Sequence, residues 1–222
     1  RQAETASVSR NFAQEGFDLL HPRMDNISNV QSGKDNPEGY FLVEFPLYNA
    51  IQAGLFVLFG IFTIEQWGRL ITMFSSLLAT VFIYLLVKKY ANTISGLFAA
   101  FFYTFLPYSV YYSRTILPDP SAVMAILGGI YFFDQWIESY SKKSRASLVW
   151  FLLAILFTAA GLLIKPNVAF LALSMIVIAF QKFGFKLFLS WKLWLFAILS
   201  LMPFILWRIW MTQYPEGIPT TY

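Results

Sequence analysis

The chain contains no cysteine and one histidine, His21. That excludes a disulfide framework, a thiolate metal site and a cysteine nucleophile, and it leaves a conventional zinc site without ligands. A divalent metal held by oxygen ligands stays open. No Gly-rich phosphate loop occurs, and a Ser/His/Asp arrangement would need His21 brought in by long-range folding. Charge is scarce: 13% of the 222 residues are Asp, Glu, Lys or Arg, against roughly a quarter in soluble domains. No basic stripe with interleaved aromatics sits on a polar domain, so nucleic acid is not an expected partner. What is present is mostly hydrocarbon, 58% hydrophobic and 19% aromatic residues with a mean hydropathy of +0.59. These values point to an all-α, polytopic transmembrane helical bundle, an integral multi-pass membrane protein.

The acids are unevenly placed. Seven of the twelve precede Pro46: Glu4, Glu15, Asp18, Asp25, Asp35, Glu38 and Glu44. Within this polar opening, Ala3, Ala6, Phe12 and Ala13 recur at helical spacing between Ser7, Ser9 and Arg10. The pattern predicts a short amphipathic helix lying along the membrane interface and ending at Gly16. Residues 21–40 read as irregular loop. Residues 47–64 are apolar but marginal in length and interrupted by Gln52, Gly54 and Gly60, so they are expected to re-enter rather than cross. Firmer spans are expected at 69–87, 94–112, 120–138, 148–164, 167–181 and 193–210. The expected organisation is an extracytoplasmic loop with interfacial or re-entrant helices over 1–68, then a bundle of about six spans over 69–222.

Loop charge orients the bundle. Lys88, Lys89, Lys142, Lys143, Arg145, Lys182, Lys186 and Lys192 fall on one set of alternate loops; Arg114, Lys165 and Arg208 fall on the other. The richer set is cytoplasmic by the positive-inside rule. The 1–68 region, the turn before Asp119, the Lys165 turn and the C-terminal Pro215–Pro219 segment then share the opposite face. An outer loop at the start of a chain needs a preceding span to deliver it, so at least one further N-terminal helix is expected.

Each polar residue on that face has a plain reading and a functional one. Asp119, between Pro118 and Pro120, either caps the next helix or is a carboxylate held beside Arg114 at a cavity mouth. Lys165 either snorkels to the interface or binds a lipid phosphate as a point charge. Glu44, beside Phe45 and Pro46 where the loop meets the apolar phase, is either a solvated loop acid or a partly desolvated one suited to general-base work. Glu4 has the same two readings. Asp134 and Glu138 are expected to be solvated at the cytoplasmic end of a span, and Gly128-Gly129 to serve helix packing.

The segment Arg1-Gln-Ala-Glu-Thr-Ala-Ser-Val-Ser-Arg-Asn-Phe12, then Glu44-Phe-Pro-Leu-Tyr48, Leu117-Pro-Asp119, Ile164-Lys-Pro166 and Pro215-Glu-Gly-Ile-Pro219, in this order, resembles the GT-C class of membrane glycosyltransferases. The branch is that of dolichyl-phosphate-mannose protein mannosyltransferase-like and aminoarabinose-transferase-like enzymes. The family often has an Asp or an Asp-Glu pair near the start of the first loop, where this chain has Glu4. The resemblance implies an inverting hexosyl- or pentosyltransferase acting on the extracytoplasmic side. Its donor would be a polyprenyl- or dolichyl-phosphate-linked sugar and its acceptor a lipid, glycan or protein. Glu4 would then be the base and Asp119 a second catalytic acid, with Glu44, Arg114, Lys165 and Arg10 binding substrate. The rival class is a membrane transporter or lipid flippase. Such proteins favour ionisable groups at the bilayer midplane and repeated halves, whereas here the charges lie at span ends and no repeat is evident.

Overall fold

The computed structural model describes residues 2–28, 32–140 and 144–219; Arg1, Lys142 and Lys143 lie outside them. Among the described residues there are helices and no strands, apart from a single antiparallel bridge between Arg23 and Tyr40. In chain order the helices are α1 (Gln2–Glu15), α2 (Leu47–Phe59), α3 (Ile64–Tyr90), α4 (Thr93–Phe105), α5 (Pro107–Tyr112), α6 (Asp119–Ser139), α7 (Arg145–Ile164), α8 (Leu173–Phe183) and α9 (Trp191–Met211). Short 3-10 turns flank α8 at Pro166–Ala172 and Gly184–Leu189, and another follows α9 at Pro215–Gly217.

Local chemistry explains the boundaries. Thr63 and Gln66 form a reciprocal capping box at the start of α3. Asn92 caps α4 and Ser144 caps α7, each accepting from a backbone N–H three residues on. Pro107 holds Leu106 in an extended conformation (φ −57°, ψ 132°), which separates α4 from α5. Pro166 does the same to Lys165 (φ −154°, ψ 110°) and stops α7 there.

Four segments are long and apolar enough to cross a membrane: Ile64–Tyr90, Arg145–Ile164, Pro166–Leu189 and Trp191–Met211. Two of the six expected spans stand apart for different reasons. Helix α4 has 13 residues, a rise of about 20 Å against a hydrocarbon thickness of ~30 Å. Helix α6 has 21 residues but carries Asp119, Asp134 and Glu138. It tolerates them because it is the central helix. Ile126, Ile130, Phe133 and Trp136 are buried against α7, α8 and α9 rather than facing lipid. Gly129 permits the close α6–α7 approach, since a Cβ there would lie 2.5 Å from Thr158 Oγ1.

Helix α1 buries polar residues along with part of its expected apolar face. Thr5, Ser7 and Ser9 are buried along with Ala6, Val8 and Phe12. Ser9 Oγ donates to Gln52 Oε1 (2.9 Å), Gln52 Nε2 donates to Ile64 O (2.8 Å), and Asn49 Nδ2 donates to Thr5 O (2.6 Å). Gln52, read from sequence as an interruption of an apolar run, thus ties α1, α2 and α3 together. Helix α2 also has 13 residues, about 20 Å of rise and too short to span. It docks on α3 through Tyr48, whose hydroxyl donates to Gly68 O at 2.8 Å. Gly16, at φ 105°, ends α1 as expected.

Candidate active site

Lys165 is the hub. Its helix ends because Pro166 follows, so the side chain projects from the C-terminus of α7. Its Nζ lies 2.8 Å from Glu44 Oε1 and 3.0 Å from Asp119 Oδ2. Asp119 is the first residue of α6, and its carboxylate faces the lysine from a helix N-terminus, where negative charge is favoured. Glu44 is delivered by an extended segment pinned at both ends. Leu42 N donates to Gly217 O (2.8 Å) and Phe45 N to Leu163 O (3.1 Å), while the Phe45 ring packs edge-on against Trp207. All three residues of the trio are half-buried.

Asp119 and Lys165 line a cavity of about 240 Å³ between α3, α4, α5 and the 3-10 turn after α7. Tyr103, Tyr108, Tyr112 and Asn167 also line it. None of these four is among the candidate site residues that the sequence supplied. The usable signal was Leu106-Pro107, a break that turns α5 across the end of α4 and points its tyrosines at the α6 terminus.

Glu4 lies in the first turn of α1, half-buried. That turn abuts the segment leading into α6, because Ile116 N donates to Gln2 Oε1 at 3.4 Å. Arg114 sits in the same connection, exposed, and no ion pair joins it to Asp119 among the described residues. Arg10 is placed elsewhere. It pairs with the exposed Asp25 at 3.2 Å and lines a separate cavity with Gln14 and Gln66. The structure therefore joins Glu44, Asp119 and Lys165 directly, sets Glu4 and Arg114 in the neighbouring segments, and leaves Arg10 outside. No group of three or more His, Asp or Glu side chains that could hold a metal ion occurs among the described residues.

A separate polar chain closes the same end of the bundle. Asp18 Oδ2 lies 2.9 Å from His21 Nδ1, and His21 Nε2 lies 3.0 Å from Tyr214 Oη. Trp210 Nε1 donates to Leu20 O at 3.2 Å. The first loop is thereby fastened to the end of α9. Burial acts to raise the Asp18 pKa, but the contacts with His21 and the Leu20 N–H outweigh it and hold the carboxyl below its usual value.

At the opposite end the expectation for Asp134 is corrected. Asp134 is buried rather than solvated, its side chain only 4% exposed, and it binds Lys89 Nζ and Tyr90 Oη. The reason is the central position of α6, which turns Asp134 toward α3. Glu138 is exposed and completes the cluster at 2.8 Å from Lys89.

Residues 37–210 match the family described as dolichyl-phosphate-mannose-protein mannosyltransferase. The chain belongs to that family. The crystal structure of ArnT from Cupriavidus metallidurans bound to undecaprenyl phosphate has a similar fold, with a TM-score of 0.62 over 97% of this chain at 15% identity. The chain spans 38% of that structure's length. No curated protein matches by sequence. The GT-C resemblance read from the motifs and the all-helical, multi-pass membrane architecture both hold.

Proposed function

We propose that the protein is a glycosyltransferase that moves a hexosyl or pentosyl group from a polyprenyl-phosphate carrier to an acceptor hydroxyl on the extracytoplasmic side, with inversion. The observation that carries the reading is Lys165 held between Glu44 and Asp119 at a polar cavity in a member of the mannosyltransferase family. The undecaprenyl phosphate bound by the ArnT of similar fold supports the lipid-phosphate carrier. The side of action rests on the loops between spans, where Arg114, Lys165 and Arg208 mark the Asp119–Lys165 end against eight basic residues at the other.

An ammonium has three N–H donors. Two of those of Lys165 are directed at Glu44 and Asp119, and the third can meet a phosphate oxygen. A carboxylate, assigned to Glu4, removes the proton from the acceptor hydroxyl. The acceptor oxygen attacks the anomeric carbon from the face opposite the phosphate. The bond from that carbon to the phosphate oxygen breaks, its electron pair stays on the lipid phosphate, and Lys165, assisted by Arg114, stabilises the charge that develops. Asp119 positions donor or acceptor, and Glu44 orients Lys165. Arg10 has no role in this scheme.

The test is mass spectrometry of products after the intact protein is given polyprenyl-phosphate sugars and candidate acceptors. Glu4→Gln and Asp119→Asn should each abolish transfer while membrane insertion is retained. Undiminished transfer in both variants overturns the site assignment, and substrate flux across vesicles without a glycosylated product replaces the transferase by a transporter.

A further inference from the structure

A second cavity, of about 400 Å³, lies between α6, α7, α8 and α9 and extends toward the end of the bundle away from Asp119. At that end Leu187 and Phe188 of the 3-10 turn and Leu193 and Trp194 of α9 form its wall, with Leu173 and Ala197 further in. Walls of this kind exclude water and accept a hydrocarbon chain.

Three lysines fall in the elements that line this cavity: Lys182 in the last turn of α8, Lys186 beside Leu187 in the 3-10 turn and Lys192 beside Leu193 at the start of α9. Lys182 and Lys186 are exposed; Lys192 sits over the Tyr140 ring, 4.8 Å from its centroid. Among the described residues none of the three forms an ion pair. Asp134 and Glu138, the acids of this end, are committed to Lys89. Phe185 and Trp191, 78% and 67% exposed, flank the lysines, as aromatic side chains do at headgroup level. Uncompensated cations at the mouth of an apolar slot form a complementary pair of features. One end matches a phosphate and the other an acyl chain.

We propose that this slot binds one anionic phospholipid of the bilayer, its phosphate among Lys182, Lys186 and Lys192 and an acyl chain between α8 and α9. The lysine-bearing end of the slot lies away from Lys165, and the proposal does not depend on the transferase reading. Its charge requirement separates it from a general apolar surface, which would hold zwitterionic lipid as well.

The intact protein, reconstituted with phosphatidylglycerol and phosphatidylcholine of matched chains, is examined by native mass spectrometry for retained lipid. Phosphatidylglycerol should be retained in strong preference, and added salt should weaken it. Each lysine near a lipid surface contributes a factor of roughly five, so Lys186→Gln should lower retention roughly fivefold and the triple Gln variant roughly a hundredfold. Ala197→Phe, which fills the slot without changing charge, should release the lipid while far-ultraviolet circular dichroism stays unchanged. Equal retention of the two lipids, no retained lipid at all, or unchanged retention in both Lys186→Gln and Ala197→Phe overturns the proposal.

Discussion

Helix α6 carries a carboxylate near each end, and each end presents a lysine held between two acids. At one end Lys165 joins Glu44 and Asp119; at the other Lys89 joins Asp134 and Glu138. The charges are the same and the settings differ. Asp134 is buried, shares its other oxygen with Tyr90, and joins two continuous helices without lining any of the cavities described above. Asp119 and Lys165 both sit at helix termini, are half-buried and line a cavity with three tyrosines. The Lys89 trio is built as a clamp, and the Lys165 trio opens onto a cavity. Asp119 and Asp134 are fifteen residues apart on one helix, about 22 Å of rise. That is less than the ~30 Å of hydrocarbon, so a bilayer crossed by α6 would hold at least one trio at membrane depth, where its internal pairing offsets the cost of the charges.

The sharpest way to break this contrast is to neutralise one acid at each end. Asp119→Asn should lower transfer by roughly 10²–10⁴-fold, the range for loss of an acid–base or positioning carboxylate, as read by product formation. Asp134→Asn should leave kcat within about twofold; a comparable loss there would erase the distinction between clamp and site. Stability should respond in the opposite order. Removing one partner of a buried ion pair costs about 3–5 kcal/mol, so Asp134→Ala should depress the Tm in detergent far more than Asp119→Ala. Equal shifts would mean that both trios are structural.

Lys165→Met tests the site trio from its cationic side. It should raise the KM for a lipid-phosphate donor roughly tenfold or more, the scale for losing a charge-assisted hydrogen bond. The matching Lys89→Met should leave that KM unchanged. The spacing of the two ends depends on α6 packing closely on α7. Gly129→Ala places a Cβ 2.5 Å from Thr158 Oγ1, and thermal unfolding should show a loss of about 1–3 kcal/mol from overpacking. The smallest effect concerns the loop fastening above the site. Because the Asp18 pKa is lowered on folding, its contribution is fully present above the ordinary value near 3.8 and fades as pH falls through the folded value. Limited proteolysis within residues 17–24 should accelerate below pH ~4, and Asp18→Asn should flatten that dependence.

Much was legible in the chain because membrane burial leaves strong marks in composition. Hydrocarbon content, the Pro-marked helix end at Lys165 and helix start at Asp119, and the order of the motifs led to the all-helical membrane class, the family and the three residues that meet around Lys165. Local rules suffice for these, since a proline restrains the residue before it whatever the rest of the chain does. Pairwise meetings obey no local rule. That Lys165 takes Glu44 as well as Asp119 depends on Leu42 and Phe45 being pinned to Gly217 and Leu163, contacts between distant parts of the chain. That Asp134 is a buried clamp rather than a solvated end depends on α6 being central, which its own residues do not state. Gln52 reads as a flaw in an apolar run until α1 and α3 supply its partners. Sequence by itself determined that this is a multi-pass helical membrane protein with its acids concentrated before the first long span. Tertiary structure alone decided which acids share a lysine and which of the two trios opens onto a cavity, because burial and partnership belong to the packed bundle and not to any single helix.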